Sequence, residues 1–118
     1  MKKRKLGNSD VEISAIGLGC WQFSKKQGIA GSYWGDIEDR VITEIIQESL
    51  KGGVNWFDTA EIYGNGMSER MLSASLQNLQ VKKGEVVIAT KWNPVFRFAR
   101  SIEHTFPDNS STCFDNIL

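Results

Sequence analysis

The sequence predicts an α/β fold, and three observations carry that prediction. Strand-like and helix-like segments alternate along the chain, the strand-like ones are short and apolar, and their spacing matches one βα unit. Strand, helix, strand, helix, strand is the order of a parallel sheet with right-handed crossovers. The starts of the second and third of these strands, Val54 and Val86, lie 32 residues apart.

Each element has its own local reason. Residues 5–14, KLGNSDVEIS, hold two short extended pieces around Gly7, Asn8, Ser9 and Asp10, residues that tolerate positive φ or bond their own backbone, so a hairpin is predicted. AIGLGCW, residues 15–21, reads as a buried strand with glycines near its end. A polar, glycine-rich loop is predicted over 22–35. Asp36 then stands as N-cap of a helix running to about Lys51. On that helix Val41, Ile42, Ile45, Ile46 and Leu50 share one face, and Glu44, Gln47, Glu48 and Lys51 take the other. Gly52 and Gly53 stop it. VNWFD is the next strand. A second helix from about Ser68 carries Leu72, Leu76 and Leu79 and ends at Lys82-Lys83-Gly84, and VVIAT, residues 86–90, is the third strand. Residues 93–110 are polar and aromatic, and 110–118 read as a capped helix start.

At 118 residues the chain has the length of one domain with one modest core. Fourteen basic and fourteen acidic side chains leave no net pull toward nucleic acid. Lys2, Lys3, Arg4 and Lys5 are not followed by the apolar stretch of a signal peptide, and no run approaches the ~18 apolar residues of a membrane span. The reading is a soluble, cytoplasmic protein. Cys20 and Cys113 lack CxxC spacing and His104 is the single histidine, so no metal site is expected and two free thiols are.

Chemistry concentrates at the ends of the second and third strands. Asp58 closes one and Lys91 the other, at the carboxyl edge where α/β folds place their sites. Side chains alternate along a strand, so Asp58 shares a face with Trp56 and Val54, and Lys91 with Ala89 and Val87. Tyr63 follows Asp58 by five residues. An ammonium within about 4–6 Å of a phenol favours the phenolate, and a tyrosine so placed can act as a general acid toward a carbonyl oxygen. Taken singly, Asp58 also reads as a cap or loop carboxylate, Tyr63 as a partly buried aromatic and Lys91 as a solvated strand end. The pairs Gly17/Gly19 and Gly64/Gly66 miss the dinucleotide fingerprint, with Gln22 and Glu69 where its third glycine belongs.

GGVNWFDTAEIYGNGMSERML resembles the segment of the aldo-keto reductases that holds their catalytic aspartate and tyrosine, here Asp58 and Tyr63. VVIATKW is similar to the strand ending in their catalytic lysine, here Lys91, and KLGNSDVEISAIGLGCW to their N-terminal hairpin and first barrel strand. The resemblance implies the N-terminal part of a (β/α)8 TIM barrel, with about three strands and a hairpin, that reduces aldehydes or ketones with NADPH or NADH. It implies Tyr63 as proton donor, Lys91 as the modulator of its acidity and Asp58 as the partner of Lys91. Cys20 and Trp21, with Asp58, match positions near the nicotinamide. Trp21 and Trp92 match positions lining the substrate pocket.

The resemblance also sets limits. The family's catalytic histidine ends a fourth strand, and His104 falls instead in a polar loop. A TIM barrel typically needs about 250 residues. Residues 1–118 are therefore expected to be a truncated N-terminal segment that self-associates and has little activity by itself. The alternative is a non-catalytic remnant that serves as a binding or assembly module.

Overall fold

The computed structural model describes residues 1–92. The readings for His104, Cys113 and the helix start at 110–118 lie outside those residues. Strands β1 (Lys3–Lys5) and β2 (Glu12–Ser14) pair antiparallel, Lys3 opposite Ser14. The predicted hairpin forms, with Gly7 at φ 56° in its turn. A second sheet takes β3 (Leu18–Gly19), β4 (Trp56–Asp58) and β5 (Val87–Ala89) in that order, all parallel. Helices α2 (Asp39–Lys51) and α3 (Met67–Asn78) make the crossovers.

Register divides the sheet into two faces. Leu18, Phe57 and Ile88 stand side by side and turn toward the helices, where fully buried Phe57 meets Ile42 and Ile46 of α2 and Leu72 and Leu76 of α3. These are the residues that helical spacing singles out. A 2.9 Å hydrogen bond between the Thr43 and Ser75 hydroxyls joins the two helices. On the opposite face Gly19, Asp58 and Ala89 form one row. The row below contains Trp56 and Val87. The Trp56 indole lies against Gly17, where an added Cβ would come within 2.1 Å of a ring carbon.

Several predicted elements differ in extent. Residues 15–21 are not a buried strand. Only Leu18–Gly19 joins the ladder, and Ile16 is 63% exposed. The Ser14 hydroxyl donates to the Ile16 carbonyl, turning the backbone before the ladder, and Cys20 leads directly into a 3-10 helix. Asn55 fastens that corner to β4, accepting from Ser14 N–H at 2.7 Å and donating to the Glu12 carbonyl at 2.9 Å.

The loop predicted over 22–35 contains a 3-10 helix, Trp21–Ser24, and a single-turn helix α1, Gly28–Gly31. Phe23, buried at 2% exposure, pulls the first of these onto the core. Asp36 is not the N-cap of α2. Glu38 holds that position, and Asp36 joins Asp39 in flanking the Lys25 ammonium, at 3.5 and 2.7 Å. On α2, Ile45 is exposed rather than core. Helix α3 ends at Asn78, ahead of the lysine pair, because Gln80 takes φ 56° and reverses the chain.

Candidate functional site

The carboxyl edge of the three-stranded sheet brings together Asp58, Tyr63 and Lys91. Lys91 Nζ donates to Asp58 Oδ1 at 2.7 Å and lies 5.4 Å from the centre of the Tyr63 ring. The other ring contact of Tyr63 is Trp21, stacked at 5.4 Å with the planes 16° apart. Trp21 is held in turn by a 2.9 Å hydrogen bond from its indole N–H to the Ala30 carbonyl and by the edge of Trp34, 5.5 Å away at 77°. Tyr63 thus sits between a cation and an aromatic wall.

Backbone hydrogen bonds place these groups. Thr59 N–H donates to the Ala89 carbonyl at 2.8 Å and Glu61 N–H to the Lys91 carbonyl at 2.9 Å, so the strand end bearing Lys91 is tied to the loop bearing Tyr63. That loop closes on itself through Tyr63 N–H to Ala60 and Ser68 N–H to Tyr63. Gly64, at φ 70°, lets it approach the 3-10 helix, since a Cβ there would stand 2.4 Å from the Ser24 carbonyl oxygen. Asn65 and Gly66 continue the turn at φ 53° and 81°. These glycines shape the tyrosine loop, in keeping with their failure to match a dinucleotide fingerprint.

Beneath the rim lies a buried polar network. Ser68 Oγ donates to the Cys20 carbonyl at 2.6 Å and shares a 2.9 Å hydrogen bond with Thr59 Oγ1. Cys20 N–H donates to the Asp58 carbonyl at 2.8 Å. The ends of β3 and β4 and the start of α3 are therefore locked together with every hydroxyl in the network satisfied, the condition under which such a network rigidifies a site.

Cys20 lies at this rim with its side chain fully buried. Burial first, and then the Asp58 charge, push its thiol up to about 12 against a smaller opposing pull from Lys91. It is a packing residue in its protonated form, not a nucleophile. Trp92 is 64% exposed at the end of the described chain, and no ring contact joins it to Trp21 or Tyr63. The structure thus gathers Asp58, Tyr63, Lys91, Trp21 and Cys20, and leaves Trp92 outside the cluster.

Sequence reasoning missed two participants. Trp34 braces Trp21 from within a stretch read as featureless loop. Glu69, in the first turn of α3, accepts a 2.6 Å hydrogen bond from Thr90 Oγ1. Its pKa is raised above 4.5, chiefly by burial and further by the Glu61 charge, against lowering by the Thr90 hydrogen bond and Arg70. A tryptophan in a polar loop was a usable signal for the first. Nothing in sequence separates Glu69 from an ordinary first-turn acid.

The row containing Asp58 carries little side-chain bulk on either flank. Gly19 and Ala89 flank Asp58 in register, and a Cβ built at Gly19 would meet nothing within 4 Å. Among the described residues no group of three His, Cys, Asp or Glu side chains could hold a metal ion, and no helix is long and apolar enough to cross a membrane.

The Aldo/keto reductase family model matches residues 15–116. The chain is 34% identical over 88 residues to the L-galactose dehydrogenase of Arabidopsis thaliana, covering 75% of this chain and 25% of that protein. It is 32% identical over 105 residues to the aldo-keto reductase YhdN of Bacillus subtilis, covering 84% and 30%. Among solved structures, the thermostable aldo-keto reductase Tm1743 superposes with a TM-score of 0.65 at 26% identity, covering 80% of this chain and 32% of that one. Aldo-keto reductase AKR11C1 from Bacillus halodurans does so at 0.59 and 29%, covering 76% and 25%. These neighbours are (β/α)8 barrels, and the described sheet with its two crossover helices corresponds to part of one. The chain spans between a quarter and a third of their length.

Proposed function

The chain belongs to the aldo/keto reductase family, and from that premise we propose that it carries the proton-delivering part of a cytoplasmic, NAD(P)H-dependent reductase of small aldehydes or ketones. The observation that supports this best is the Lys91 ammonium, 2.7 Å from the Asp58 carboxylate and 5.4 Å from the Tyr63 ring. A nicotinamide cofactor, when bound, supplies the hydride. Tyr63 hands its phenolic proton to the carbonyl oxygen, with the Lys91 ammonium beside its ring. Asp58 keeps Lys91 over the tyrosine. Trp21 walls the substrate and, with Cys20 and the open floor at Gly19, borders the space for the nicotinamide ring. Trp92, outside the cluster here, joins the substrate side only by family resemblance.

A second reading, an assembly module without turnover, is favoured by the sheet itself. Among the described residues its outer strands β3 and β5 each pair on one side only, and unpaired strand edges invite association with another chain. Titration of the 118-residue chain with NADPH and with NADH, followed by cofactor fluorescence alongside the particle mass of the same sample, separates the two. Saturable binding, with carbonyl turnover abolished by Tyr63→Phe, supports the reductase. Association without nucleotide binding favours the module. For this chain alone we expect association and little turnover.

A further inference from the structure

Lys91 lies beyond the regular ladder of β5, which ends at Ala89. Its side chain is long and flexible, and its backbone enters one described hydrogen bond, from Glu61 N–H to its carbonyl. A further tie on the strand end comes through Thr90, which alternation turns to the face opposite Lys91, toward the helices. There Glu69 Oε1 accepts the Thr90 hydroxyl at 2.6 Å, the distance of a charge-assisted hydrogen bond. The geometry points to Glu69 as a positioning residue for Lys91, acting through Thr90 to hold the ammonium at the distance from Asp58 and Tyr63 that proton delivery needs. Its functional meaning rests on the reductase reading, while its geometry stands apart from it.

The electrostatics agree. Burial disfavours the Glu69 carboxylate, and Glu61, from the loop after β4, adds to that. Arg70, its neighbour on α3, and the Thr90 hydroxyl oppose it, and the net effect still raises its pKa. A neutral glutamine could accept from Thr90 without that penalty. The hydrogen bond from Thr90, one residue from the lysine, is therefore stronger while Glu69 is ionised than a bond to a neutral acceptor would be. Residues 90 and 91 are thus pinned from both faces, Thr90 to α3 and Lys91 to β4.

The test is nuclear magnetic resonance of the Lys91 ammonium in the full 118-residue chain labelled with nitrogen-15. Its protons exchange slowly with water only while they are held by Asp58. Thr90→Val and Glu69→Ala are expected to speed that exchange by about tenfold, the effect of losing a hydrogen bond to a charged group. Thr90→Ser, which keeps the hydroxyl, is expected to leave it within about twofold. Unchanged exchange in Thr90→Val and Glu69→Ala overturns the proposal, and so does failure of Thr90→Ser to retain the parent signal. Should Thr90→Val and Glu69→Ala fail to fold, Glu69→Met, which keeps the length of the side chain and removes the acceptor, decides the matter. Exchange several-fold faster than the parent sustains the proposal, and parent-like exchange ends it. None of these readouts uses cofactor or turnover. A chain that binds neither NADPH nor NADH while its Lys91 depends on Glu69 sinks the reductase reading alone, and a nucleotide-binding chain whose Lys91 ignores Glu69 sinks this inference alone.

Discussion

Replacing Gly64 by alanine tests whether the tyrosine loop is placed by close backbone approach. Gly64 has φ 70°, and an added Cβ would stand 2.4 Å from the Ser24 carbonyl oxygen and 2.9 Å from Ser24 Cα and Cβ. The left-handed conformation alone costs an alanine about 1–2 kcal/mol. The contact adds about 1–3 kcal/mol of overpacking, since the atoms met are backbone and the stem of a fully buried serine, none of which can swing away. Gly84 provides the control. It has φ 86° with nothing within 4 Å of its Cβ, so Gly84→Ala incurs the conformational cost only. Urea unfolding of the two variants should differ by about 1–3 kcal/mol, with Gly64→Ala the weaker. The near-ultraviolet signal of the Trp21–Tyr63 stack should fall in Gly64→Ala and persist in Gly84→Ala. Equal losses would refute the argument, because the strain would then lie in φ and not in the approach to Ser24.

Three further outcomes are expected. Lys91→Met should change stability by less than about 1 kcal/mol in urea, because both partners of its ion pair are substantially exposed, at 52% and 42%. Proton delivery in the assembled reductase should nevertheless be lost. Glu69→Gln should flatten the pH dependence of stability. A carboxyl whose folded pKa is raised contributes stability that is full below its unfolded value near 4.5 and is lost as pH rises through the folded value. The variant should therefore gain on the parent above that window, as urea midpoints at several pH values would show. Phe57→Ala, which empties the centre of the core between α2 and α3, should cost about 3–5 kcal/mol, a large share of the ~5–15 kcal/mol of an ordinary domain, read from the urea midpoint.

What could be read from sequence followed the strength of its periodicity. Ile42 and Ile46 with Leu72 and Leu76 repeat at helical spacing and are all fully buried, so both crossover helices, and with them the parallel sheet, were legible. Asp58 and Lys91 were legible as strand ends because alternation fixes the face a side chain takes. Residues 21–35 were not. Phe23 is a single buried anchor among polar neighbours, and short helical turns there depend on tertiary packing that no period records. The N-terminus of α2 was misplaced for a related reason. Asp36 is a favourable cap residue by type, but Lys25, eleven positions earlier, captures it together with Asp39. The Glu69–Thr90 bond joins residues 21 apart in different elements, a pairing that local sequence does not encode.

The two rows of the inner sheet face explain why the site is where it is. In the lower row a large indole, Trp56, covers Gly17 and donates its N–H to the Ser14 carbonyl at 3.1 Å, so that layer is filled and serves packing. In the upper row Asp58 lies between Gly19 and Ala89, so that layer is left open at the edge where Lys91 and Tyr63 converge. The ion pair there is too exposed to add much stability. Yet the parts that hold it are well bonded, from the Cys20–Ser68–Thr59 network to the ties of Glu61 to Lys91 and of Glu69 to Thr90. Rigid support beneath a weakly stabilising pair of charges makes physical sense if the geometry of that pair is what the support serves. Side chains that only filled a surface would not need it.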